Sequence, residues 1–455
     1  MTAFRSTSAT PPQRRRSLSG AALFVLTGIL LSAAALFAQD AALTVEAIEF
    51  DGLRRTRPAV VTNYLTIREG HSVTRDQLAA DEARLRETHF FKEVELRIVP
   101  GSAAGTARII VAVEERRWPF FQFKGGFNEL DGWYLSPLGL RFDNLLGRGN
   151  RFGFEFRIGD RVAGSRLAWE RPFLFGTEYD FGVSLYGDNR QFVHTALASD
   201  PEDPFLQEVR MGGLELRLDG NSGIPRFFSL AVAGTNVEVD TFLTRNDGEN
   251  MPAPGFLRLD TTRLAIGRVS FAIRADTRDR IRYPTGGWWG GLSLERGTID
   301  REGWDDFNRV TADLRRYQRL YKDLVVAMRM RWSHISESAP FFEKFYLGGP
   351  NSLRGYRDRS LTPAGYAANL SLGSAELRFP LSARSADRYR FTGVLFADAG
   401  HAWNADGAWT LDRLRGGFGA GLRLDVPVIG IVRIDFAWPD DGGDPRVHLA
   451  LGHTF

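Results

Sequence analysis

Arg354 stands in the segment Phe345–Arg359, FYLGGPNSLRGYRDR, within a long polar, Gly/Pro-containing stretch from Ser336 to Ala367. A guanidinium is a planar fork of five donors that fits a carboxylate through two parallel bonds. Two carboxylates follow downstream in alternating runs. In Ala375–Phe379 (AELRF) the apolar residues take one face, so Glu376 takes the other. In Phe396–Gly400 (FADAG), Asp398 lies opposite Leu395, Ala397 and Ala399. The pattern suggests an ionic latch, with Arg354 on Asp398, Glu376 nearby, and Gly355 allowing a tight turn before Tyr356. A purely structural ion pair is the plainer alternative.

The sequence does not suggest catalysis. No G-x-S-x-G elbow, phosphate loop or dinucleotide fingerprint occurs, and pairs such as Asp440-Asp441 sit in loop-like sequence without a nucleophile. Seven histidines are scattered without ligand spacing, and cysteine is absent. Neither a metal centre, a cofactor nor a disulfide is expected, and the chain is read as a non-enzyme.

The elements that must position Arg354 are strands. From Trp118 onward apolar and polar residues alternate. Phe152, Phe154, Phe156 and Ile158 interleave with Gly153, Glu155 and Arg157. Val326, Met328, Met330 and Trp332 interleave with Ala327, Arg329 and Arg331. Val432, Ile434, Phe436 and Trp438 interleave with Arg433, Asp435 and Ala437. Period two gives each strand one apolar and one polar face. A soluble sandwich turns the apolar faces inward, whereas a membrane barrel turns them to lipid and keeps charges in a wet lumen. Recurrent charges and aromatics near strand ends (Trp133, Tyr134, Trp288, Trp332, Trp403, Trp438) favour the barrel. About sixteen alternating segments are present, and short turns such as Tyr321–Asp323 alternate with longer loops such as Leu243–Gly255. The reading is a mainly β fold: a 16-stranded transmembrane antiparallel β-barrel over 118–455, with loop 336–366 folded into the lumen. The last strand is expected to carry Phe455 on its apolar register.

The composition agrees. The 455 residues are 25% charged and 12% aromatic, with a formal net charge of +3. The mean hydropathy of −0.22 is too low for a bundle of membrane helices. The charge is concentrated at the front. Arg5, Arg14, Arg15 and Arg16 precede an apolar run to Ala38, with no acidic residue in 1–38. This reads as a signal peptide over 1–38, with a retained anchor as the alternative. Its loss takes the charge from +3 to −1, which leaves no electrostatic basis for nucleic-acid binding.

Residues 43–117 read as a small mixed domain, ordered β-α-α-β-β. Val45, Ile48 and Phe50 fall in the first strand. Pro58 and Thr74 mark two helix starts. Two strands close the unit, one carrying Val94, Leu96 and Ile98, the other Ile109, Val111 and Val113.

With these motifs in place the chain resembles the BamA/TamA-type outer-membrane translocase superfamily, the bacterial surface antigen family. Leu353-Arg354-Gly355-Tyr356 is similar to its [VI]-R-G-[FY] loop motif. Phe396, Asp398 and Gly400 fit its F-x-D-x-G strand motif, and Tyr346–Gly349 and Asn144–Gly149 match two further turns. The resemblance implies that 43–117 is a single POTRA (polypeptide-transport-associated) domain in the periplasm, making this a minimal member. It implies a lateral seam between the first and last barrel strands, around Gly125, Gly126 and Phe455, where a client strand adds. It also implies client capture along Val94, Leu96 and Ile98. The implied function is insertion or export of unfolded outer-membrane or secreted polypeptides. Outer-membrane lipid is the surrounding solvent, and periplasmic chaperones or assembly lipoproteins are candidate partners. The alternatives are a passive outer-membrane pore and an accessory subunit of a larger assembly machine.

Overall fold

The computed structural model describes residues 43–116, 119–128, 132–199, 203–221, 226–245, 248–257, 263–280, 283–300, 305–382, 384–385, 388–405, 407, 409–426, 430–451 and 455. The leader expected over 1–38 lies outside them. The chain divides into two compact units, one holding residues 43–54 and 64–115, the other 55–63 and 116–455.

The first unit contains a four-stranded sheet: β1 (Leu43–Asp51), β2 (Ser72–Val73), β3 (Phe91–Pro100) and β4 (Thr106–Glu115), in the order β2-β1-β4-β3. Strands β1 and β4 are parallel and the other pairs antiparallel. The two-residue β2, too short to show alternation, adds a strand to the order expected from sequence. The helix Arg75–Glu87 starts at a capping box in which Thr74 and Gln77 exchange side chain-to-backbone bonds. Leu78 and Leu85 from this helix, Phe90, and Ile109 and Val111 from β4 are buried. Asp81 of the same helix is fully buried. Its carboxylate accepts from the backbone of Thr66 at 2.8 Å and Ile67 at 3.0 Å, satisfying donors that helix or sheet cannot reach.

The second unit is a closed barrel. Its strands are β5 (Phe120–Asn128), β6 (Gly132–Leu145), β7 (Asn150–Gly159), β8 (Val162–Arg171), β9 (Tyr179–His194), β10 (Phe205–Asn221) and β11 (Arg226–Val239). After a loop hairpin, β12 (Phe242–Thr244) and β13 (Asn250–Pro252), come β14 (Arg263–Asp276), β15 (Gly287–Ile299), β16 (Phe307–Tyr321), β17 (Leu324–Ile335) and β18 (Asn369–Pro380). A short turn hairpin, β19 (Arg384–Ser385) and β20 (Arg388–Tyr389), precedes β21 (Phe391–Trp403), β22 (Arg415–Val426), β23 (Gly430–Pro439) and β24 (Arg446–Leu451). Without the two small hairpins, sixteen antiparallel strands form the wall, and β24 closes it beside β5.

Alternation sets the two faces. Phe154, Phe156, Leu214, Leu216, Met328, Met330, Phe418 and Phe436 are exposed on the outside, as lipid-facing residues must be. Arg329, Arg433 and Asp435, one residue out of phase with these, are buried on the lumen side. A hydrophobic cluster joins strand ends to the long loop: Phe192, Val237, Ile266 and Ile335 surround Phe341, Phe342 and Tyr366. The Tyr366 hydroxyl donates to the Val193 carbonyl at 2.8 Å.

The end of the chain departs from the sequence reading. Among the described residues β24 runs to Leu451, and Phe455 is not exposed as the lipid-facing Val447 and Leu449 are. Phe455 is buried in a cluster with Tyr317 and Ala327. The Arg378 guanidinium lies 5.2 Å from its ring. Turning the terminal ring off the outer wall exchanges lipid contact for a cation–π contact.

Candidate lumen latch

Three barrel strands and the long loop converge on Arg354. Strand β18 presents Glu376, and β21 presents Phe396, Asp398 and Gly400, all on the lumen face because they are spaced by two. Arg354 donates from Nε to Asp398 Oδ2 at 2.7 Å and from Nη2 to Asp398 Oδ1 at 2.8 Å, a bidentate pair. Its Nη1 donates to Glu376 Oε1 at 2.8 Å. The guanidinium carbon lies 3.5 Å from the centre of the Phe396 ring, which closes the face of the fork. Arg354, Glu376 and Asp398 are all buried. Burial opposes the Arg354 charge, but the Asp398 and Glu376 carboxylates outweigh it and raise its pKa.

The glycines and Tyr356 have spatial roles here. Gly355 has φ of +95°, and a Cβ on it would lie 2.8 Å from the Trp438 carbonyl, so side chain and conformation are both excluded. Gly400 leaves room for Leu347 and Leu353 of the loop. The Tyr356 hydroxyl donates to Asp440 Oδ1 at 2.5 Å. Burial and the Asp440 carboxylate both push the phenol's pKa up, which keeps it a donor.

Several participants were not singled out from sequence. Arg423 on β22 donates to Asp435 on β23 at 2.6 Å and lies 3.5 Å from Glu376. Arg433 donates to Asn351 of the loop at 2.8 Å. Arg378 binds the second Glu376 oxygen from Nε at 2.9 Å and the Phe455 carbonyl from Nη2 at 3.4 Å. His448 of β24 lies with Nε2 3.3 Å from the Gly355 amide nitrogen. Gly417 of β22 is the close-approach point: a Cβ there would lie 1.9 Å from the Arg354 carbonyl oxygen. The sequence signal was present, since Gly417, Gly419 and Gly421 recur at every second position on the lumen face.

A second attachment holds the ascending limb of the loop. Glu343 pairs with both Arg268 of β14 and Arg309 of β16, and Arg309 also donates to the Glu343 carbonyl at 2.7 Å. The loop is therefore tied to the wall at two separate places.

The other sequence candidates lie elsewhere. Gly125 and Gly126 are in β5, opposite Leu135 and Tyr134 of β6, just past a register shift after Phe123. In the first unit β3 is a sheet edge, but Val94 is buried and only Ile98 is well exposed. The edge is covered at that point: Arg86 donates to the Val94 carbonyl at 2.9 Å, and Glu82 accepts from the Leu96 amide at 3.1 Å.

Comparison with known proteins places this geometry. Residues 144–455 match the family model described as the Omp85 superfamily domain, and residues 43–116 match the surface antigen variable number repeat, a POTRA model. Outer membrane protein assembly factor BamA of Nitratidesulfovibrio vulgaris is 24% identical over 433 residues, 88% of this chain and 49% of that protein. Chloroplastic outer envelope protein 80 of Arabidopsis thaliana is 23% identical, over 88% of this chain and 54% of that protein. The chain thus spans about half the length of these curated relatives. Among solved structures, BamA from Haemophilus ducreyi lacking POTRA domains 1–3 superposes with a TM-score of 0.68 at 18% identity, covering 90% of this chain and 84% of that one. CdiB from Acinetobacter baumannii gives 0.57 at 15% identity, covering 91% and 74%. With the family model spanning most of the barrel and the surface antigen repeat before it, the chain belongs to the Omp85 superfamily, as an outer-membrane β-barrel protein with a periplasmic POTRA domain.

Proposed function

We propose that this chain is an outer-membrane assembly or translocation factor. It inserts or exports client polypeptides through a POTRA-assisted barrel whose weak point is the seam between β5 and β24. The observation that carries this reading is the closure itself. Strand β24 lies beside β5, and β5 is irregular at Phe123–Gly125. A register shift interrupts a ladder locally, and an opened edge templates pairing with another strand. Four groups connect this seam to the latch: Arg354, Glu376, Arg378 and the Phe455 carbonyl. The latch holds the loop in the lumen and, through Arg378, steadies the terminal residue. None of these roles needs a catalytic step.

In this reading the clients are unfolded outer-membrane or secreted polypeptides. The POTRA edge β3 receives extended segments once Glu82 and Arg86 give way. Periplasmic chaperones or assembly lipoproteins deliver them. The family relationship supports the class, since the N. vulgaris relative is named as an outer membrane protein assembly factor. The test is reconstitution into liposomes with an unfolded barrel client. Faster client insertion than in empty liposomes is expected. Steady ion conductance without faster insertion or transport of an extended client would instead establish a passive pore.

A further inference from the structure

The turn between β8 and β9 holds Phe175 in a conformation that phenylalanine disfavours. Residues Leu174–Gly176 form a single 3-10 turn in which Phe173 (φ 51°, ψ 54°) and Phe175 (φ 53°, ψ 26°) are both left-handed. For a bulky side chain this region is an outlier that costs free energy. It persists because hydrogen bonds across the turn fix it. The Phe173 amide donates to Asp180 Oδ1 at 2.9 Å, the Gly176 amide to the Phe173 carbonyl at 2.9 Å and the Thr177 amide to the Leu174 carbonyl at 3.1 Å. The outcome is not burial. Phe175 is 84% exposed, the most exposed large apolar side chain among the described residues. A strained turn that holds an apolar ring outward calls for something to receive the ring.

Position identifies the recipient. Strand β8 is the fourth of the wall, and the chain enters β5 from the periplasmic domain, so the β8–β9 turn is periplasmic. Arg171, the last residue of β8, has the parity of the lipid-facing Leu167 and is exposed. Its guanidinium lies 5.8 Å from the centre of the Phe175 ring. The ring thus stands beside an outer-face cation at the rim of the wall. Around them Trp169 meets Phe181 at 6.3 Å and Tyr179 meets Phe228 at 5.9 Å, all four on the outer register. Such aromatics mark the boundary between lipid and water. Among the described residues the Arg171 guanidinium makes no hydrogen bond or ion pair; its contact is the Phe175 ring. Glu178, exposed on the same turn, balances its charge.

We propose that this turn is a phospholipid-binding anchor: Phe175 enters the periplasmic leaflet, and Arg171 beside it binds the phosphate of a zwitterionic phospholipid. A ring at the boundary of headgroups and acyl chains removes apolar surface from water. The guanidinium fork fits a phosphate through two bonds while its stem lies along apolar surface. The ring is held out before lipid arrives, so insertion carries little ordering cost. The balance of Arg171 by Glu178 suits a headgroup that carries both charges.

The test is photolabelling of the full chain in phosphatidylcholine vesicles. The probe is a phosphatidylcholine with a diazirine near the head of one acyl chain, and peptide mass spectrometry locates the labelled residues. Adducts on residues 172–179 are expected, with labelling at Phe228 in the girdle as the internal reference. Phe175→Gly removes the ring yet suits the left-handed φ. It is expected to cut labelling of the turn about tenfold, without lowering the temperature at which the barrel loses its heat-modifiable gel mobility. Arg171→Gln is expected to lower labelling of the turn by this probe, but not by a diacylglycerol carrying the same diazirine chain and no phosphate. A turn that stays unlabelled while Phe228 is labelled would overturn the proposal and leave the ring to a soluble partner. So would unchanged labelling in the folded Phe175→Gly variant, or an Arg171→Gln effect equal for the two probes.

Discussion

At the scale of residues, the latch is a buried ionic group whose members depend on one another. Removing Arg354 leaves the buried Asp398 carboxylate without its bidentate partner, and breaking a buried pair in this way costs about 3–5 kcal/mol. Arg354→Ala is therefore expected to lower the temperature at which the barrel loses its heat-modifiable gel mobility, and to expose the loop 336–366 to protease. Arg354→Lys should recover little, because an ammonium cannot make the two parallel bonds to Asp398 together with the one to Glu376. Gly417→Ala tests the same contact without altering any charge. Its Cβ would meet the Arg354 carbonyl at 1.9 Å, so the loop must shift, and protease sensitivity should rise as in Arg354→Ala. A loop that stays protected in both variants would contradict the latch. The core of this site was legible in sequence, since period-two alternation fixes which face Glu376 and Asp398 occupy. The accompanying Arg378, Arg423 and Asp435 were not. Each looks like one lumen charge among many until closure of the barrel brings β18, β22 and β23 around a single loop residue.

At the scale of elements, strand β3 shows how an edge is protected. Glu82 and Arg86 reach from the helix Arg75–Glu87 to the outer backbone groups of Val94 and Leu96, where a client strand would bind. Glu82→Ala with Arg86→Ala frees these groups and is expected to increase capture of an extended peptide by site-specific photocrosslinking from Ile98. An unchanged or lower yield would exclude β3 as the receiving edge. Alternation alone made Val94, Leu96 and Ile98 appear equivalent. The register shift between Phe91 and Glu93 and the packing of the helix distinguish them, and neither is visible in a strand read by itself. The same limit explains the chain end. Spacing carried the apolar register through to Phe455, but Phe455 packs against Tyr317 and Ala327, contacts that a strand read by itself does not display.

At the scale of the whole molecule, sixteen strands close into one wall, with β24 beside β5. Most of this architecture was legible, because lipid outside and water inside impose a two-residue period on every strand. If clients enter at the proposed seam, holding it shut must stop the activity while leaving fold and latch intact. The chain has no cysteine, so one cysteine introduced in β5 and one in β24 can form only the intended disulfide across the seam. The most direct measurement is the rate of client insertion by this variant in liposomes, oxidised and then reduced. Oxidation is expected to abolish the acceleration over empty liposomes, reductant to restore it, and the heat-modifiable barrel to be intact in both states. Full acceleration with the seam covalently closed would contradict it.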